Sequence, residues 1–125
     1  MGTGWYYTEN IGGTTARWIG RELTSTLRVN LAPQDYRVAL QATTIVPNQI
    51  VAVYANDRHL ADIPIGGGWH TYTFDLPAAI VPANGLTTID LVPAHSISPH
   101  DLTNGQSDDR RPLAAALASI QFVPH

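Results

Sequence analysis

Apolar and polar residues alternate with a period of two along much of this chain. The segment LTSTLRVNL turns one side chain in two towards the same face and leaves threonines, an arginine and an asparagine on the other. Successive side chains of a β-strand point to opposite faces, so the pattern predicts a half-buried strand. The residues predicted to face inward are Leu23, Ser25, Leu27, Val29 and Leu31.

Further segments carry the same signal. DYRVALQATTI places Tyr36, Val38, Leu40 and Ala42 on one side, and HTYTFDL and TTIDLV alternate again. QIVAVYAN is apolar on both faces, which predicts a central strand covered on each side. NDRH, at residues 56–59, predicts a tight turn because Asn and Asp tolerate a positive φ, and LADIPI then returns as the partner strand.

Turn residues separate these segments at intervals of roughly 8 to 12 residues, and no amphipathic helix lies between them. This spacing is typical of an all-β protein. We therefore predict an antiparallel β-sandwich, a jelly roll of about eight strands, formed by one domain over residues 1–125.

The last segment, RRPLAAALASIQFVPH, fits two structures. Leu113, Leu117 and Ile120 have helical spacing and follow Pro112, whereas Ala116, Ala118, Ile120 and Phe122 share one side of a strand. Helix propensity contributes only about 0.5 kcal/mol per residue, so completing a sheet outweighs it. We predict a strand over residues 114–123.

Composition excludes several classes of function. The net charge is −3 and the seven cations, all arginines, are scattered, which argues against nucleic-acid binding. The absence of cysteine excludes disulfides, thiolate catalysis and cysteine-bound zinc. No segment approaches the roughly 20 apolar residues of a membrane span, and MGTGWYYTEN lacks the features of a signal peptide, so we expect no direct membrane insertion.

Five motifs occur in the order found in a family of bacterial jelly rolls: ARWIG, VYANDRHL, GGGWHTYTFDLP, PANGLTTIDL and SDDRRPLAAALASIQF. The chain thus resembles galactose-binding-like and carbohydrate-binding-module folds, which are often appended to extracytoplasmic parts of membrane glycosyltransferases. The resemblance implies sugar binding and an extracytoplasmic or cell-surface location. It departs from the family pattern at Asp57, where a hairpin glycine is expected, and at Pro112-Leu113-Ala114, which replace Leu-Gly.

Trp69 follows three glycines and precedes an alternating strand. If the alternation extends backwards, its ring lies opposite the His70, Tyr72 and Phe74 side and faces outward, where it could stack on a sugar. The alternative is a ring folded over the sandwich edge with its N–H bonded to a carbonyl, and this second interpretation is favoured.

Three consecutive aromatic residues, Trp5, Tyr6 and Tyr7, lie near the start. A solvated terminus rarely retains three such rings, so we expect the segment to dock as an edge strand, with Trp5 and Tyr7 on one face and Tyr6 on the other. One face would then stay partly exposed, suited to sugar stacking or to a subunit contact.

Arg17 and the later SDDRR segment form the strongest polar pairing. Asp108 and Asp109 are predicted to hold Arg17 in a bidentate ion pair that pins the last loop over the sandwich. The alternative gives these aspartates, together with Arg110 and Arg111, to the hydroxyl groups of a sugar.

Residues 93–111 form the one long irregular stretch, and loops of this length are commonly functional. It carries His95, His100, Asp101 and Asn104 beside the two aspartates. The spacing of the histidines matches no zinc motif, and Asp and carbonyl oxygens could hold calcium. We expect no metal or other cofactor and leave calcium as the alternative.

No catalytic constellation emerges: the chain lacks a G-x-S-x-G elbow, and Asp108 and Asp109 are adjacent and would point apart. We therefore predict a non-catalytic carbohydrate-recognition module rather than a hydrolase, with a glycan as its partner. The alternative is a structural module that docks on a partner protein domain or forms a homo-oligomer. The candidate ligand-binding residues are Trp5, Tyr7, Arg17, Trp69, Asn104, Asp108, Asp109 and Arg110.

Overall fold

Two antiparallel sheets, packed face to face, make up most of the computed structural model, which describes residues 3–125. In that range nine strands form, where about eight were predicted, and the all-β sandwich is confirmed. The first sheet has the order β1-β2-β9-β4-β7 and the second β3-β8-β5-β6. The strands are β1 Glu9–Ile11, β2 Thr14–Ile19, β3 Ser25–Asn30, β4 Tyr36–Thr43, β5 Gln49–Ala55, β6 Arg58–Ile65, β7 His70–Leu76, β8 Leu86–Pro93 and β9 Ala115–Pro124.

In the described part of the chain, helical structure is limited to two short turns: a 3₁₀ turn at Ala78–Ile80, between β7 and β8, and α1 at Pro99–Leu102. The side chain of Ser98 caps α1 by accepting a hydrogen bond from the Asp101 N–H. Within residues 3–125 no helix has the length and apolar character that crossing a bilayer requires.

The main core lies between the sheets and follows the predicted alternation. Tyr36, Val38, Leu40 and Ala42 of β4 are all buried, as predicted, and they face the apolar side chains of β5 and β8. Each such aliphatic side chain contributes about 1.5–3 kcal/mol when it is fully withdrawn from water. Burial of this one face therefore sets the register of the strands.

Two predictions about this core were wrong. β5 is not covered on both sides: Val51 and Val53 are buried, but Ile50 on the opposite face is 45% exposed, because each sheet of a two-layer sandwich has one outer surface. Leu23 does not face inward either. It precedes the first residue of β3, Ser25, and is 89% exposed.

The predicted turn between β5 and β6 is confirmed. Asn56 and Asp57 both have positive φ angles, 48° and 67°, and Ala55 pairs with Arg58 across the turn. This is the geometry that matches the twist of a two-residue hairpin. Asp57 thus adopts the backbone conformation for which the resembling family uses glycine.

The last segment is a strand, as predicted, but one residue interrupts its alternation. Gln41 pairs with Ser119 and Ala42 with Leu117, so Ala118 is an extra residue in a β-bulge. The bulge puts Leu117 and Ile120 together against the main core, while Ala116 joins a separate cluster. The prediction that Ala116 shares a face with Ile120 and Phe122 was therefore wrong.

Candidate functional site

A groove of about 560 Å³ opens along the side of the sandwich, between β2 and β9 of one sheet and β3 of the other. It exists because β2 and β9 diverge: their pairing is confined to Arg17–Ile19 of β2 and Ala115–Leu117 of β9. Beyond Leu117, β4 is the one strand within residues 3–125 that pairs with β9, and the space left by β2 becomes the groove.

Apolar side chains form the walls of this groove. Leu27 and Val29 come from β3, and Ile120 and Phe122 come from β9, beyond the bulge. The Phe122 ring packs edge-on against the buried Tyr36 at a centroid distance of 6.4 Å, which restrains it. The alternation of the sequence predicts that these residues belong to the core. They line a groove instead because β2 diverges from β9 at this point.

Trp5 also lines the groove, and its indole Nε1 donates a hydrogen bond to the Thr26 carbonyl at 2.9 Å. The ring also packs against the main core, so it is anchored on its polar and apolar sides. Trp5 forms an isolated bridge with Ile19 rather than the predicted edge strand. Trp5 and Glu9 have three residues between them, whereas their partners on β2, Ile19 and Ala16, have two, so the pairing is irregular between these points. Tyr7 lies in this irregular stretch and is 89% exposed.

Arg17 is the charged residue of the groove lining, which includes no acidic side chain among the described residues. Its Nε donates to the Thr8 hydroxyl at 3.0 Å. Within residues 3–125 the structure gives its two terminal nitrogens no hydrogen bond and its charge no carboxylate partner. The guanidinium is thus held by one nitrogen and free at the other two.

The outer face of the same sheet carries a second apolar cluster. Trp18 and Ala116, which pair across β2 and β9, are buried there with Leu113. Tyr6 and Trp69 are partly buried and pack over them. Trp18 and Arg17 are neighbours in sequence but belong to opposite faces of β2, so the cluster and the groove are separated by one sheet.

Trp69 closes this cluster. Its indole Nε1 donates to the Ile11 carbonyl at 3.1 Å. Because β1 and β7 lie at opposite edges of their sheet, this bond shows that the tip of the β1–β2 hairpin folds across the outer face. The favoured interpretation of Trp69, a ring folded over the sandwich with its N–H bonded to a carbonyl, is confirmed. A ligand-binding role for Trp69 stays a prediction.

An ion-pair network borders the cluster. Arg111 donates to the Asp109 carboxylate through Nε, at 3.0 Å, and through a terminal nitrogen, at 2.7 Å. It also donates to Glu9 at 2.8 Å, and its guanidinium lies 5.3 Å from the centre of the Tyr6 ring. The hydrogen bonds from Arg111 hold the pKa values of the Asp109 and Glu9 carboxyls below their usual ranges. The carboxylates in turn raise the pKa of Arg111.

The predicted ion pair between Arg17 and the aspartates was wrong. Asp109 is occupied by Arg111, and Asp108 is exposed, with no ion pair among the described residues. Asp109 pairs with Arg111 rather than with Arg17 because Arg111 is only two residues away, so a local turn brings the two side chains together. The backbone N–H of Arg111 also donates to the Asp109 carboxylate, at 3.0 Å. Glu9, which sequence reasoning missed, supplies the second carboxylate from 102 positions away.

The remaining predicted site residues do not converge on the groove. Asn104, Asp108 and Arg110 are exposed in the loop after α1, and Asn104 has a positive φ of 54° that suits a turn. His100 contacts Asp101 at 3.3 Å. Nowhere in residues 3–125 do three or more metal-ligating side chains of His, Asp or Glu come together, so the loop does not assemble the donor set that a His/Asp metal site needs.

No family model matches this chain, and no curated protein sequence does. Solved structures do resemble it. A family 35 carbohydrate-binding module from an environmental isolate is 14% identical, with a TM-score of 0.58 over 98% of this chain and 88% of that one. A CBM4 module is 14% identical, with a TM-score of 0.55 over 97% of this chain and 77% of that one.

A third structure, the carbohydrate-binding module CBM36 in complex with calcium and xylotriose, is 13% identical, with a TM-score of 0.50 over 94% of this chain and 88% of that one. At such identities, likeness of coordinates speaks for the fold. The chain has a jelly-roll fold of the kind found in carbohydrate-binding modules.

Proposed function

We propose that this protein is a non-catalytic carbohydrate-recognition module that acts outside the cytoplasm, and that the groove beside β3 and β9 is its binding site. The observation that carries the proposal is the groove itself: an open apolar channel of about 560 Å³ that holds two anchored aromatic rings and one guanidinium whose terminal nitrogens have no partner among the described residues. Sites for small ligands usually combine such apolar walls with a few polar groups.

The chemistry of the lining suits a sugar. Trp5 and Phe122 offer rings that lie against the C–H face of a pyranose, and both are fixed by contacts outside the groove. Thr15 lies on the same face of β2 as Arg17 and also lines the groove, so its hydroxyl and the Arg17 guanidinium supply hydrogen-bonding groups. Pre-positioned side chains lose little conformational entropy on binding, which favours affinity.

The fold supports the same proposal. The carbohydrate-binding modules that this chain resembles have names that assign them to sugar binding, and one was solved with xylotriose. The extracytoplasmic location rests on the sequence motifs alone.

A blocking substitution tests the site. Thr15 is exposed on β2 and lines the groove, so Thr15→Trp fills the channel without disturbing the core. Thr73, also exposed but on β7, gives the matched control Thr73→Trp. We expect binding to a glycan panel in calorimetry, amide shift changes at groove residues, and loss of both with Thr15→Trp alone. Absence of binding across the panel, or binding that Thr15→Trp leaves intact, overturns the proposal.

A second candidate function is assembly with another copy or with a partner domain. It is favoured by one feature: beyond Leu117, β9 pairs with β4 but with no strand on its other side within residues 3–125, and Tyr7 is exposed nearby. Light scattering over a concentration series tests it. A concentration-dependent dimer that Tyr7→Ser weakens supports assembly, and a monomer at every concentration excludes self-association.

A further inference from the structure

Among the arginines that have no carboxylate partner within residues 3–125, Arg17 is the one that lines the groove. It lies against an apolar wall, and the described residues of the groove lining include no acidic one. Thr8 fixes the Arg17 Nε, so that both terminal nitrogens point away from that bond. Arg111 shows what this protein does with an arginine that serves structure: two carboxylates surround it.

A guanidinium beside apolar surface attracts an anion more strongly than one in open water, because the local dielectric is lower. Its planar fork of N–H donors matches the two oxygens of a carboxylate. A neutral sugar hydroxyl offers a single oxygen to this fork and leaves the charge of Arg17 without a counter-ion. The groove is therefore complementary to a ligand with one negative group.

We infer that the groove selects acidic saccharides, with the carboxylate of a hexuronic acid paired to Arg17 and the C–H face of the sugar on the Trp5 and Phe122 side of the channel. The inference rests on the proposed function and narrows it to a class of ligand. Because Thr8 holds the guanidinium before binding, the carboxylate meets an oriented partner.

The test compares each acid with its own neutral form. Oligosaccharides of galacturonic, glucuronic and mannuronic acid are titrated in calorimetry beside their methyl esters, against the native protein, Arg17→Gln, Arg17→Lys and the control Arg37→Gln. Arg37 is an exposed strand residue whose partner, Asp75, lies outside the groove. We expect at least one acid to bind about tenfold or more tightly than its ester, the scale of a charge-assisted hydrogen bond.

Arg17→Gln is expected to remove that preference while Arg37→Gln keeps it, and Arg17→Lys is expected to retain part of it, because an ammonium keeps the charge but loses the fork. The preference is also expected to shrink as the salt concentration rises from about 0.05 to 0.5 M. Circular dichroism confirms that each variant is folded.

Other outcomes separate the two proposals. If neutral saccharides bind as well as the acids and Thr15→Trp abolishes both, the sugar-binding function stands and the acidic preference is overturned. If decanoate binds the groove and the saccharides do not, the site serves amphiphiles and both proposals fail. If no saccharide binds, both fail as well.

Discussion

Arg17 and Arg111 occupy the two faces of the same sheet, and both lie close to aromatic or apolar side chains. Arg111 forms ion pairs with Glu9 and Asp109 and lies over the Tyr6 ring, so both the edge and the face of its guanidinium have partners. Arg17 has the Thr8 hydroxyl as its partner within residues 3–125. The comparison teaches that the surroundings of an arginine, and not the residue type, separate a structural clamp from a group available to a ligand.

The two faces of this sheet also differ in how far they are covered by other parts of the chain. Over the outer face, the β1–β2 hairpin tip meets Trp69 and covers the apolar cluster. On the inner face, the divergence of β2 from β9 leaves the groove uncovered. Substitutions on the outer face should therefore change stability, and substitutions in the groove should change binding.

The largest effect is expected for Trp18→Ala. Trp18 is 6% exposed at the centre of the outer cluster, and truncating a buried aromatic side chain costs about 3–5 kcal/mol. Urea denaturation measures the free energy of unfolding. Tyr7→Ala, which removes an 89% exposed ring, is the control and should change it by less than about 0.5 kcal/mol. A loss below about 1 kcal/mol for Trp18→Ala would show that the cluster contributes little.

Arg111→Gln comes next, because it leaves two carboxylates without their counter-charge. The side chains of the network are about one-third exposed, at 37%, 36% and 29%, so the cost lies between those of surface and buried ion pairs, at about 1–2 kcal/mol. Arg37→Gln breaks a single exposed pair and should cost less than about 0.5 kcal/mol. Equal losses for the two variants would contradict the structural role of Arg111.

The contribution of Arg111 should also depend on pH. The pKa values of Glu9 and Asp109 are lowered in the folded protein from ordinary values of 4.5 and 3.8. A carboxyl with a depressed folded pKa stabilises the protein above its unfolded pKa and loses that contribution as the pH falls through its folded value. The stability difference between the native protein and Arg111→Gln should be constant above about pH 5.5 and shrink below about pH 4.5. A difference that stays unchanged down to pH 3 would exclude these carboxyls as the cause.

The smallest effect on stability is expected for Arg17→Gln. Arg17 is partly buried and makes one solvent-exposed hydrogen bond, to the uncharged Thr8 hydroxyl, so its loss should change the free energy of unfolding by less than about 0.5 kcal/mol. Denaturation curves of the native and variant proteins provide the measurement. A loss above about 1 kcal/mol would assign Arg17 to the architecture and weaken its assignment to a ligand.

Local patterns predicted much of the fold. β4 and the Asn56-Asp57 turn follow from side-chain alternation and from the φ preferences of single residues. These properties belong to neighbouring residues, so they can be read without knowledge of the partners.

The candidate site could be predicted only in part. Trp5 and Arg17 were predicted as ligand-binding residues and do line one groove, whereas Trp69 lies on the outer face and Asp109 in the ion-pair network. Phe122 was missed, since its alternation looked the same as that of any core residue. The bulge at Ala118, which turns Phe122 and Ile120 towards the groove side, arises from pairing with β4 and leaves no mark in the local pattern.

The sequence by itself determined that this chain forms alternating strands joined by tight turns, because a period of two commits side chains to opposite faces whatever they pack against. Tertiary structure alone decided that Glu9 reaches Arg111 and where β2 leaves β9 to open the groove. Those contacts join residues about a hundred positions apart, and they form only when β1, β2 and β9 come together in one sheet.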